Sequence, residues 1–345
     1  MLASTPTTTQ DGPGQGDGDI ASTCNKYASP SGSDSQAGTE AAPFRSVQKL
    51  ADSLSPGDTG CLTAGAYEGD DQQIDIKKGG TSSSQRVTIM SAPNERAEVK
   101  GRLSIAQEAP YVTIRDLDLD GSNTLTDSDR EGLPSPTVNG SDAQFINDDV
   151  TNNDAGQICF LLGHPDYGSP SRTLIQDSRI HNCGKGNDHQ PGIYIGHAYA
   201  TRIIGNYIYD NADRGVQLYP NAQNTLVKNN VIDGNGENVT IGGDGTYAPS
   251  NNTITNNVVA DATVGWNVGY YWPDPSLIGQ DNWVQHNCMG RAAANTELPN
   301  GGIRQPQNGF STQGNGVVSD PMYVDKAAKD FRLKTDSSCS AVYPG

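Results

Sequence analysis

Six segments of this chain share one spacing. Ile114–Leu119, Ile175–Ile180, Ile203–Ile208, Val227–Ile232, Ile254–Val259 and Val284–Met289 each place an apolar residue, four intervening positions and a second apolar residue. The last five begin 28, 24, 27 and 30 residues apart. Such a period marks a repeat architecture in which each unit buries its apolar face only by stacking on the next. Within the repeat, Asn206, Asn230, Asn257 and Asn287 fall at one position. Stacked in a column, they would bond side chain to side chain, and Asn also tolerates the left-handed backbone of a tight turn.

A second strand follows in each unit: Gly192-Ile-Tyr-Ile-Gly196, Gly215-Val-Gln-Leu-Tyr219 and Asn238-Val-Thr-Ile-Gly242, with Phe160-Leu-Leu-Gly-His164 as the preceding rung. Alternation puts Ile193, Ile195, Val216, Leu218, Val239 and Ile241 inside, and Tyr194, Gln217 and Thr240 outside in one column. In-register strands with no helix-length segment between them predict an all-β fold, a right-handed parallel β-helix. A β-sandwich would need hairpins and antiparallel pairing, which the repeat does not offer. The composition agrees: 34% hydrophobic residues and 40 glycines suit a thin tubular core better than a conventional globule of 345 residues.

The net charge of −17 argues against nucleic acid as a partner. No apolar run reaches the length of a membrane span. No signal core follows Met1, and we expect that a natural export signal has been removed. Residues 1–22 are Thr-, Gly-, Asp- and Gln-rich and read as a flexible leader to a single domain over 23–345. Oligomeric state is not encoded in these patterns, and a monomer is the default.

The six cysteines, Cys24, Cys61, Cys159, Cys183, Cys288 and Cys339, contain no CxxC pair and suit disulfides in an oxidising, extracellular setting. Fifteen pairings are possible. The expected set is Cys24–Cys61, Cys159–Cys183 and Cys288–Cys339, each joining neighbouring coils or a cap, with buried free thiols as the alternative. A solenoid must also cover its ends. Phe44, Val47, Leu50, Ala51 and Leu54 share one face of a short helix between Pro43 and Pro56-Gly57, the expected cap within region 23–60. The segment 320–345 is expected to close the other end.

Tyr27-Ala-Ser-Pro-Ser-Gly-Ser-Asp34, Gly38-Thr-Glu-Ala-Ala-Pro-Phe44, Pro56-Gly-Asp58 and Ala64-Gly-Ala-Tyr67 resemble the N-terminal segment of many secreted bacterial parallel β-helix proteins, polysaccharide lyases prominent among them. The stretch from Gly192 to Ile232 and the ending Asp320-Pro-Met-Tyr-Val-Asp325 with Asp330-Phe-Arg-Leu333 resemble the same group. The resemblance implies the fold and a polysaccharide substrate. Narrower signatures depart. Polygalacturonase-type hydrolases carry Asn-Thr-Asp, Asp-Asp, Gly-His-Gly and Arg-Ile-Lys, of which only Asp148-Asp149 and the Gly-His pairs at 163–164 and 196–197 are present. The chondroitinase and alginate lyase group uses a Lys and an Arg on successive coils with calcium. Lys185 and Arg214 lie 29 residues apart, roughly one coil, but in a different local sequence.

One coil breaks the rhythm. The step from Ile180 to Ile193 takes thirteen positions rather than about seven, and the extra loop Cys183–Pro191 carries Lys185, Asp188 and His189. It leads to Tyr194 and His197, and the following coil brings Asp213, Arg214, Gln217 and Tyr219. Long loops on rigid scaffolds are the usual seat of function. The leading expectation is a lyase acting on a uronic-acid glycan: Arg214 neutralises the carboxylate, His189 or Lys185 removes the proton, and Tyr194 or Tyr219 protonates the leaving oxygen. A hydrolase is the alternative, with Asp188 and Asp213 as its carboxylate pair. A non-catalytic glycan binder is the third, in which Trp266, Tyr270, Tyr271, Trp272 and Trp283 stack on sugars rather than packing a loop. Asp116, Asp118 and Asp120 alternate with leucines and are expected to face outward together, as a solvated acidic face or as ligands for Ca²⁺.

Overall fold

The computed structural model describes residues 23–68, 73–122, 133–186, 189–293, 301–304 and 308–343. The chain winds as a right-handed parallel β-solenoid, each coil giving one strand to each of three sheets. Among the described residues the first sheet has eleven strands, from Lys26–Ala28 to Ser311–Gln313. The second has ten, from Gly65–Tyr67 to Gly316–Val317, and the third eight, from Gln73–Ile76 to Val268–Tyr271. The pairing is parallel and in register, so like residues stack. Ile175, Ile203, Val227, Ile254 and Val284 form one fully buried column, and Ile180, Ile208, Ile232, Val259 and Met289 another. Burial of each such side chain contributes about 1.5–3 kcal/mol, which offsets the low apolar content.

The asparagine column sits at the corner between the first and second sheets. Asn206, Asn230 and Asn257 each donate Nδ2 to Oδ1 of the next asparagine at 2.9 Å, and Asn287 continues to Asn315 at 3.0 Å. These asparagines are not the left-handed residues of the turn. That conformation belongs to the preceding position, occupied by Gly205, Asn229, Asn256 and His286 with φ between 52° and 72°. The labour divides because the strained residue reverses the chain while its neighbour points inward to satisfy backbone groups of adjacent coils. Shorter ladders, Asn211–Asn235–Asn238–Asn267 and Asn252–Asn282, brace other turns.

The capping helix spans Val47–Ser53. Ser46 accepts the Lys49 N–H at its N-terminus, and Asp34 accepts the backbone N–H groups of Arg45 and Ser46. Its apolar face joins the main core through Phe44, Val47, Leu50, Ala51 and Leu54. The disulfides are Cys24–Cys61, Cys159–Cys183 and Cys288–Cys339, as expected.

The C-terminal segment departs from the expectation of an end closure. Its antiparallel hairpin, Tyr323–Asp325 with Asp330–Leu333, lies back along the outer face of the second sheet. Phe331 packs on Tyr207 and Tyr209, at ring centroid distances of 5.6 and 5.1 Å, and Lys326 reaches Asp233 at 2.5 Å and Asp261 at 2.6 Å. The outward tyrosines of that sheet take the tail, so among the described residues the hairpin covers the second sheet and not the third. The proposed leader, residues 1–22, lies outside the described residues.

Candidate functional site

Five third-sheet strands build one outer face: Phe160–Leu162, Ile193–Tyr199, Arg214–Gln223, Glu237–Gly242 and Val268–Tyr271. Their register places Leu161, Tyr194, Gln217, Thr240 and Gly269 in one outward column, the column read from the alternation. A second column lies two residues further along, where Tyr219 and Tyr271 project. The rings of Tyr194, Tyr219 and Tyr271 follow one another at 6.2 and 6.4 Å. Tyr271 is 55% exposed. His197 sits beside a register shift in its strand, with its ring edge-on to Tyr247 at 4.9 Å and its Nδ1 3.4 Å from Asn221 Nδ2. Burial depresses its imidazole pKa, opposed by Asp244. Burial raises the pKa of the Tyr194 and Tyr219 hydroxyls, and Asp244 adds to it in both.

At the entering end of these strands, the register pairs Arg214 with Glu237. Arg214 Nη1 lies 2.6 Å from Asp213 Oδ2, and Arg214 Nε lies 3.5 Å from Glu237 Oε2. The Thr240 hydroxyl donates to Glu237 Oε2 at 2.8 Å. Two carboxylates on adjacent coils thus flank one guanidinium at the edge of this face. Burial pushes the Asp213 carboxyl above the usual carboxylate range, although Arg214 pulls it down. Glu237 was not among the residues singled out from the sequence. The signal was there in the coil register: Glu237 stands one coil after Arg214, immediately before the strand Asn238-Val-Thr-Ile-Gly242.

The long loop contributes less than its length suggested. Lys185 is exposed and lays its stem over Gly156 of the preceding coil. Its N–H donates to Gln190 Oε1 at 2.9 Å. His189 is exposed, takes a left-handed backbone (φ 60°) and lies near enough to Asp213 to act on its charge. Asp188 lies outside the described residues.

The late aromatics separate. Tyr271 is exposed on the third-sheet face, and Tyr270 carries the Arg304 guanidinium over its ring at 4.6 Å. Trp272 packs against the core and donates Nε1–H to Asn308 O at 2.9 Å, a packing role. Trp266 is partly buried near Gly269, and Trp283 stands on a first-sheet strand, away from this face. The three aspartates expected to converge do not. Asp116 sits at a turn and bonds Arg115 and Asn147, Asp118 pairs with Arg96, and Asp120 is buried and accepts from Asn153. Only Asp118 obeys simple alternation, because Asp116 belongs to the corner and Asp120 to the strand end. Among the described residues no three carboxylate, imidazole or thiol groups converge as a metal site.

A family model described as the right handed beta helix region matches residues 112–303, and the chain belongs to that family. Solved structures share the fold at low identity. The pectate lyase Pel9A superimposes with a TM-score of 0.62 at 16% identity, over 93% of this chain and 92% of its own. A rhamnogalacturonan lyase gives 0.56 at 13%, over 91% and 97%. XylC, in a complex with xylose, gives 0.53 at 11%, over 86% and 68%. No curated protein sequence matches significantly.

Proposed function

We propose that this protein is an extracellular glycoside hydrolase whose substrate lies on the third-sheet face, with Asp213 and Glu237 as its carboxylate pair. The observation that carries this reading is the Asp213–Arg214–Glu237 arrangement. Hydrolysis of a glycosidic bond uses one protonated carboxyl to donate to the leaving oxygen and one carboxylate to attack or activate water. Asp213, with its pKa raised by burial, suits the acid. Glu237, held by Thr240 and Arg214, suits the nucleophile or base. XylC, solved with xylose, and the two lyases support the fold only. The three disulfides suit a secreted protein.

Elimination on a uronic-acid glycan, the leading expectation from the sequence, is the second reading. It asks Arg214 to neutralise a substrate carboxylate, but Arg214 is already engaged by two carboxylates of the chain. Products distinguish the two. Incubation with neutral and anionic polysaccharides should release reducing ends without near-ultraviolet absorbance, and Glu237→Gln should lower the rate by about 10²–10⁴-fold. Unsaturated products, or full activity in Glu237→Gln, would overturn the proposal.

A further inference from the structure

We infer that the third-sheet face takes a neutral, hydroxyl-rich glycan running along the solenoid axis, and that Gln217 is the residue that reads one of its hydroxyls. This rests on the reading of that face as the glycan site and adds the substrate class and the specificity residue.

The first support is the outward column that contains Tyr219. Gly242 stands opposite Tyr271, and Tyr219 directly follows Leu218, which stands opposite Ile241. Tyr219 and Tyr271 belong to strands two coils apart, about 9.6 Å at the usual strand spacing. A Cβ on Gly242 would come within 2.6 Å of the Tyr271 carbonyl oxygen and 3.1 Å of Tyr271 Cβ, so the neighbouring coil approaches closely here. The rings, 6.2 and 6.4 Å from one to the next and inclined at 60° and 49°, form a stepped aromatic platform against which sugars can pack.

The second support is Gln217. It stands in register between Tyr194 and Thr240, is 5% exposed, and its Oε1 has no hydrogen-bond partner. A buried amide oxygen without a donor is costly to keep. On the outward face, between a tyrosine of the platform and the threonine that holds Glu237, the donor that completes it is a sugar hydroxyl.

The third support is charge. Asp213, Glu237 and Asp244 border this face, and Asp244 acts on Tyr194, Tyr219 and His197 alike. Arg214 is held by Asp213 and Glu237, and Arg304 stacks on Tyr270 and donates to its carbonyl. A polyuronate would bring its carboxylates against like charges, which costs affinity; a neutral chain would not.

The test measures binding without turnover. The full chain carrying Glu237→Gln is titrated by calorimetry with β-linked xylose, glucose and galactose hexamers and with a galacturonate hexamer. At least one neutral hexamer should bind, and the galacturonate should bind at least about tenfold more weakly. Tyr219→Ala and Tyr271→Ala should each weaken the neutral complex by about tenfold. Gln217→Leu should weaken it by about tenfold or more while leaving the melting temperature equal or higher, an outcome that a structural role for Gln217 would not produce. Preferred binding of galacturonate, no neutral hexamer bound, or unchanged affinity in Gln217→Leu would overturn the inference. If the unmutated chain binds a neutral hexamer through these residues yet releases no reducing ends, the hydrolase reading fails and this inference stands.

Discussion

Asp148 occupies an asparagine's place. Pairing of Asp149 with Arg179, and of Arg179 with Tyr207, puts Asp148 in line with Ser178 and Asn206 at the head of the asparagine column. Its Oδ1 accepts the Leu117 N–H at 3.0 Å, as asparagine oxygens do for the coil before them. In the asparagines Nδ2 also donates to a carbonyl of that coil: Asn206 to Ile175 at 3.0 Å, Asn230 to Ile203 at 2.9 Å, Asn257 to Val227 at 3.0 Å. The register assigns Ile114 as the corresponding carbonyl for residue 148, and Asp148 Oδ2 has no partner. The residue is 1% exposed, and burial pushes its carboxyl well above the usual range. The sign follows from linkage. The folded chain holds this proton to higher pH than the unfolded chain, whose aspartate ionises near about 3.9. Stability from the neutral acid is therefore complete below that pH and is lost as pH rises toward the folded pKa, at about 1.4 kcal/mol per unit. Asp148→Asn removes this loss and supplies the missing donor, worth about 1 kcal/mol. For a chain of this length each kcal/mol corresponds to about 1–2 °C in Tm. Calorimetry from about pH 4 to 8 should show the variant melting higher at neutral pH, with a flatter profile. A lower Tm at neutral pH, or an unchanged slope, would refute the assignment of Asp148 as a neutral asparagine mimic.

Further outcomes follow from other contacts. Asn230→Ala strips Nδ2 bonds to Ile203 O and Asn257 Oδ1 and leaves the Asn206 N–H unpaired, so a loss of about 2–4 kcal/mol is expected, read as faster hydrogen exchange at the adjoining corners. Lys326→Met leaves Asp233, its carboxyl already pushed up to about 6 by burial, without its cation; Lys326 is 42% exposed, so the cost is about 1–3 kcal/mol, seen as earlier proteolysis of the tail. Hydrolysis should fall on the alkaline side as Asp213 loses its raised-pKa proton, and Asp213→Asn should abolish that limb of the pH–rate profile. Replacing Cys159 and Cys183 by serine opens a link spanning 24 residues and should cost about 3 kcal/mol by thermal denaturation.

The catalytic reading shows where sequence inference stopped. Tyr194, Gln217 and Thr240 were legible because alternation within a strand decides facing, and Arg214 because its coil follows the long loop. Glu237 was not, because its significance depends on standing beside Arg214 across coils. The loop from Cys183 to Pro191 drew attention by length, yet its lysine turns to the preceding coil. Asp116 and Asp120 failed the alternation rule because corners and strand ends do not share the pleat of strand centres.

Repeat spacing and strand alternation were enough to determine the coil, its buried columns, the asparagine ladder and the capping helix, since each depends on contacts between residues a fixed number of positions apart. Tertiary structure alone decided which outer face the tail covers. The tail covers the second sheet because Tyr207, Tyr209, Asp233 and Asp261 offer it rings and charges. Among the described residues the hairpin does not reach the third sheet, and Asp213, Arg214 and Glu237 meet across coils at the entering end of its strands. Packing across coils couples residues that sequence periodicity can align but cannot weigh.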